Sequence, residues 1–120
     1  MVQEDDRLAI LNQLGAFARL VDGRRWDRVA DVFDEALAFD YGGPEGEQTG
    51  ITALLGQFRL YLDNCGPSQH LLGSVQMEFD AEGGVTTRAY VQARHQGKGA
   101  RAHLYLDTNG EYVDRWVKRP

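Results

Sequence analysis

The apolar positions change period once along the chain. In the first half they recur at three- and four-residue steps, and from His70 onward they alternate. Leu8, Leu11, Leu14, Ala18 and Val21 form a helical stripe, widened by Ile10 and Phe17. Asp5 or Asp6 can cap its start, and Gly23 follows its end. "RRWDRVADVF" sets Trp26, Val29, Ala30 and Phe33 on one side of a second, short helix. "ALAFDY" alternates, with Leu37, Phe39 and Tyr41 sharing a side, and predicts a strand. "GGPEGE" is a loop. "TGITALLGQFRLYLDNCGP" predicts a third helix with Ile51, Leu54, Leu55, Phe58 and Leu62 as its stripe, closed by Gly66-Pro67.

His70 to Phe79 and Val85 to Gln96 predict two strands, with "DAEGG" turning between them. "RAHLYLD" and "EYVDRWVK" predict two more, joined by "TNG", an Asn-Gly hairpin signal. The order is helix, helix, strand, helix, then four strands in a meander. Helices on one face of a largely antiparallel sheet make an α+β fold. A sheet that covers three helices must curve, and its concave side can hold a pocket.

The chain has 120 residues and no linker or repeat, which suits one domain over 1–120. Its 42% hydrophobic and 26% charged residues suit a soluble globular protein. A net charge of −5 with no basic run argues against nucleic-acid or anionic-membrane partners. No apolar stretch is long enough to span a bilayer, and "MVQEDDR" lacks the apolar segment of a secretory signal. Cys65 is the single cysteine, so no internal disulfide forms. A cytoplasmic protein is expected. The histidines and carboxylates show no metal-ligand spacing, and "GGPEGE" lacks the Lys of a phosphate loop. Neither metal nor cofactor is expected.

Four residues could carry chemistry. Asp22 stands at the end of the first helix, where the helix dipole disfavours its charge, although aspartate is also common in turns. His95 is in phase with Val85, Thr87, Ala89, Val91 and Ala93. It is either a hydrogen-bonded core residue or the wall of a cavity that those small side chains leave open. Tyr41 is either a core tyrosine or a phenol that donates to a substrate oxygen. Strict alternation groups His70 with Leu72, Ser74, Gln76 and Glu78 on the polar side of its strand. A bulge at Leu71-Leu72-Gly73 would turn it to the other face.

"LNQLGAFARLVDGRRWDRVADVFDE", "TGITALLGQF", "SQHLLGSVQMEFD" and "TTRAYVQARHQG" together resemble the SnoaL-like branch of the nuclear-transport-factor-like superfamily. The resemblance covers essentially the whole chain. It implies a cone: a curved, mixed, largely antiparallel sheet around three N-terminal helices, enclosing an apolar pocket. Phe17, Val21, Phe39, Leu55, Phe58 and Ala93 are the expected pocket residues. Members include scytalone dehydratase, bile acid 7-alpha-dehydratase, a hexachlorocyclohexane dehydrochlorinase, ketosteroid isomerase and polyketide cyclases. In the dehydratase members an aspartate ending the first helix pairs with a histidine that opens a later strand. Asp22 and His70, 48 residues apart, match those positions. His95 and Tyr41 match a second histidine and a tyrosine of scytalone dehydratase.

The resemblance therefore implies a cofactor-free lyase acting on a small apolar cyclic compound, with isomerase, cyclase or non-catalytic binding module as alternatives. It also implies a homodimer through the open sheet face, with Tyr90, Tyr105, Tyr112 and Trp116 as contributors. Three departures stand out. Val21 and Phe17 occupy positions where several dehydratases carry a tyrosine. The acids of ketosteroid isomerase have no counterpart. "GEYVDRWVKRP" resembles the family's penultimate strand, and the sequence stops at Pro120 before a further one.

Overall fold

The computed structural model describes residues 4–119. Helix α1 spans Glu4–Asp22 and buries Ile10, Leu14, Phe17, Leu20 and Val21. Leu8 and Leu11, expected in that stripe, are 55% and 44% exposed. The helix carries more apolar residues than one face can hold, and the face through Phe17 is the one that meets the sheet. Asp5 and Asp6 lie inside the first turn rather than capping it.

The end of α1 decides where the site goes. The Arg24 amide donates to the Val21 carbonyl and the Arg25 amide to the Leu20 carbonyl, at 3.3 and 2.8 Å. Together these bonds make a Schellman cap. Its left-handed residue is Arg24 at φ 54°, not the neighbouring Gly23. A short 3₁₀ helix, η1 (Trp26–Asp31), follows and buries Val29. Strands β1 (Ala38–Phe39) and β2 (Gln48–Thr49) pair antiparallel as a small sheet of their own. Helix α2 (Ile51–Leu62) buries Leu54, Phe58 and Leu62, one residue per turn.

The main sheet has three long strands in sequence order: β3 (Ser68–Phe79), β4 (Val85–Gln96) and β5 (Tyr105–Trp116). Every pairing among the described strands is antiparallel, in keeping with the largely antiparallel sheet expected. The two final strands of the expected meander are one. Asn109 and Gly110 do not turn; they pair with Gln92 and Val91 within an unbroken register from Val85↔Trp116 to Gln96↔Tyr105. Twelve consecutive partners on β4 outweigh a two-residue turn preference. Continuous pairing also fixes the faces of β5. Tyr112 is opposite buried Ala89 and Trp116 opposite buried Val85, so both face the helices and not the open side of the sheet. Tyr90, 62% exposed, does lie on that open side, among the Arg88–Glu111 and Arg94–Asp107 ion pairs.

Strand β4 follows its sequence pattern. Val85, Thr87, Ala89, Val91 and Ala93 are buried, and the residues between them are less so. Strand β3 changes phase. Its register slips between Gly73 and Gln76, where β3 advances by three residues and β4 by two. The extra residue is a bulge, and Ser74 takes it up at φ 49°. Before the bulge His70 and Leu72 turn inward; after it Val75 and Met77 do. Phe79, at the strand end, is 42% exposed and lies under the Arg7 guanidinium.

The core gathers around Phe17, which is 7% exposed. Its ring meets Phe33, Phe58, His70 and Tyr112 at centroid distances of 6.0, 6.1, 6.3 and 5.6 Å. Burial of such a side chain contributes about 1.5–3 kcal/mol, and well-oriented aromatic pairs add about 0.5–1.5 kcal/mol each. No helix among the described residues is long and apolar enough to cross a membrane. Because the left-handed backbone at Ser74 favours glycine, Ser74→Gly should raise stability to urea by some tenths of a kcal/mol. Ser74→Val should lower it by about 1–2 kcal/mol, and equal stability of the two variants would contradict the bulge.

Candidate functional site

Asp22 is the last residue of α1 and reaches the first residues of β3. Its Oδ2 accepts the His70 backbone N–H at 2.8 Å. Its Oδ1 lies 2.7 Å from His70 Nδ1 and accepts the Ser68 hydroxyl at 2.9 Å. A carboxylate accepts from Nδ1 only if that nitrogen carries a proton, which in the neutral ring leaves Nε2 as a bare lone pair. The His70 side chain is 9% exposed and lines a cavity of about 370 Å³ between the helices and the concave sheet. Asp22 is absent from the cavity lining and acts on it through His70.

The register explains why two histidines meet there. His70 pairs with Ala93 and Ser68 with His95, so His70 and His95 are diagonal neighbours on one face. Their rings meet edge to face at 5.4 Å. Ala93 directly opposite His70 is too small to fill the space above it. His95 Nδ1 is buried without a hydrogen-bond partner among the described residues. A buried, unpaired ring nitrogen is costly unless a ligand or proton meets it.

Facing the histidines is a wall of rings. Phe17, Val21 and Phe58, expected in the pocket, line the cavity, as does Tyr41. Phe39 and Leu55 do not; they pack against the outside of the core cluster, and Phe39 reaches the cavity only by its contact with Tyr41. Ala93 is buried opposite His70 and does not line the cavity either. Tyr41 and Tyr61 flank the mouth, 42% and 56% exposed.

Tyr112 is the site residue that sequence reasoning missed. It lines the cavity beside Thr108, edge-on to Phe17 at 5.6 Å and to Tyr41 at 6.1 Å. Its alternation with Trp116 was readable, but the supposed break at Asn109-Gly110 hid which face the pair shares. Burial, followed by the charges of Asp114 and Asp22, pushes the Tyr112 phenol up to about 12. Desolvation of its hydroxyl end, then Tyr112 and Asp114, raises the Tyr41 phenol above the ordinary tyrosine range, although the side chain as a whole is part-exposed at the mouth. Both phenols therefore stay protonated at neutral pH and can only be hydrogen-bond donors to an anion. No three His, Cys, Asp or Glu side chains among the described residues converge on a metal-sized site.

A profile of the SnoaL-like domain matches residues 3–120. The chain belongs to the SnoaL-like family. Solved structures with the same nuclear-transport-factor-like fold include a candidate scytalone dehydratase from Novosphingobium aromaticivorans, 21% identical, with a TM-score of 0.82 over 95% of this chain and 74% of that one. A candidate aromatic ring hydroxylase from the same organism is 28% identical, with a TM-score of 0.82 over 96% and 80%. ActVI-ORFA from Streptomyces coelicolor is 20% identical, with a TM-score of 0.69 over 92% and 83%. No curated protein matches the chain.

Asp114 stands beside Tyr112 on β5, opposite buried Thr87, and burial raises its carboxyl above the ordinary value of 3.8. The folded state therefore holds a proton that the unfolded chain releases more readily. The stability tied to this acid is complete below about pH 3.8 and is lost as pH rises through the raised folded value. Asp114→Asn should accordingly melt at a higher temperature than the parent at pH 7, with the gain vanishing below pH 3.8. Thermal melts across pH that show no such convergence would contradict it.

Proposed function

We propose that this SnoaL-like protein is a cofactor-independent lyase that removes water from a small, largely apolar cyclic compound. A polyketide-, steroid- or terpenoid-like ring suits the aromatic lining. The single observation that carries the reading is the 2.7 Å contact between Asp22 Oδ1 and His70 Nδ1, with the far ring edge on the cavity. A lone pair held there by a carboxylate is a general base.

In the reaction, His70 Nε2 takes a proton from a carbon next to a carbonyl. The electron pair moves onto the carbonyl oxygen, where Tyr41 and Tyr112 donate to it. As the oxyanion collapses back, the bond to a β-hydroxyl breaks, and His95, entering as the imidazolium, protonates that oxygen so that it leaves as water. The proton held by His70 then passes through solvent to His95, which resets both rings, and no oxidant or reductant is needed. Isomerisation or ring closure could use the same base and donors. His95 favours elimination, since a second imidazole 5.4 Å from the first provides an acid where a leaving group would sit.

A panel of β-hydroxy cyclic ketones, analysed by mass spectrometry for loss of water, tests the reading. His70→Gln should abolish turnover while the fold is retained by circular dichroism; retained turnover would end the proposal. Tyr41→Phe and Tyr112→Phe should each slow turnover by about 10²–10³-fold. The double variant should lose much less than the product of the two, because both phenols serve one oxygen.

A further inference from the structure

Arg24 occupies a position where glycine would be expected. It is the left-handed residue of the Schellman cap that ends α1, at φ 54°. A non-glycine residue is strained there, and Gly23 stands unused for the purpose beside it. Something must hold Arg24 in place, and its guanidinium shows what. Nη1 donates to the Val21 carbonyl at 2.6 Å and to the Ser68 hydroxyl oxygen at 2.8 Å. Nη2 donates to the Gly66 carbonyl at 2.8 Å. The same side chain thus joins the end of α1, the turn before β3 and the start of β3.

A guanidinium has donors and no acceptor. Ser68 Oγ therefore cannot direct its proton toward Arg24. The polar neighbour left for that proton is Asp22 Oδ1, 2.9 Å away. The direction of the whole chain follows: Arg24 to Ser68, Ser68 to Asp22. Asp22 Oδ1 must accept from Ser68, and Oδ2 accepts from the His70 backbone at 2.8 Å. Both oxygens are committed as acceptors and the carboxylate cannot turn. An ionised Asp22 satisfies all three donors, the Ser68 hydroxyl, the His70 backbone N–H and His70 Nδ1–H, with no proton of its own.

The geometry points to Arg24 and Ser68 as positioning residues that fix the tautomer of His70. They touch no substrate and act only through Asp22. This inference deepens the dyad reading above, and it can be tested without a substrate.

The probe is ¹⁵N-histidine NMR of the intact protein at neutral pH, where the two ring nitrogens report which one carries hydrogen. The parent should show His70 as one tautomer, Nδ1 protonated and Nε2 bare. Arg24→Gly suits the left-handed backbone, so it removes the guanidinium while relieving strain. Together with Ser68→Ala it should raise the population of the Nε2–H form about tenfold or more, given what a hydrogen bond to a charged group contributes. Ser68→Thr keeps the hydroxyl and should give the parent spectrum. Arg24→Gly and Ser68→Ala spectra within about twofold of the parent ratio would overturn the inference, as would a parent spectrum with Nε2 protonated. Unchanged variant spectra overturn only this inference, whereas a parent spectrum with Nε2 protonated would also remove the proposed base, and retained turnover in His70→Gln would end the catalytic reading alone.

Discussion

Strand β3 can present a histidine to the helices only because it carries one residue more than the strand it pairs with. Without the extra residue, the inward positions at Val75 and Met77 would continue as Gly73 and Leu71, and His70 would face solvent. With it, one strand serves two purposes. Its far part contributes apolar side chains to the core, and its near part contributes His70 to the cavity wall and Ser68 to the hydrogen bonds behind it. The strained residue is Ser74, on the exposed side of the strand. The distortion thus lies away from the cavity whose wall it makes possible.

The second constraint is the manner in which α1 stops. An aspartate one position later along the helix would lie about 100° further round its axis. The Schellman cap fixes the stop, and Asp22 then meets both the backbone and the ring of His70. Secondary structure and site share the same atoms here: the turn that satisfies orphan carbonyls also aims a carboxylate. The cavity inherits its shape from the same choice, since Phe17 and Val21 lie on the face of α1 that this stop leaves turned toward the sheet.

Much of this was legible in the sequence, for identifiable reasons. Strand β4 is buried on one face along its length, so its alternation reads directly. The pairing of Asp22 with His70 could be expected from a resemblance that fixes both residues by spacing, and the bulge followed once His70 had to face inward. The rest depended on long-range pairing. Asn109-Gly110 has the local preference of a turn, and only β4 alongside it holds those residues extended. Reading a break there split one strand in two and sent Tyr112 to the wrong face. The rotation of α1 away from Leu8 and Leu11 was hidden because apolar residues occur nearly all round that helix. Arg24 had no signal at all, since glycine is the residue whose sequence position announces a left-handed turn, and Gly23 is one place too early.

Asp22 sits behind the wall of the cavity and His70 within it. A boundary therefore runs between the residues that hold the imidazole and those that shape the space in front of it. Arg24, Ser68 and Asp22 bond to one another and to the backbone, and none of them lines the cavity. Gln57 and Tyr61 line it from α2, a separate element. Exchanges on that face of α2 reshape the cavity from a helix that carries none of the bonds holding His70. In such a scaffold the size of the enclosed space varies with one helix, while the ring is anchored by the end of another.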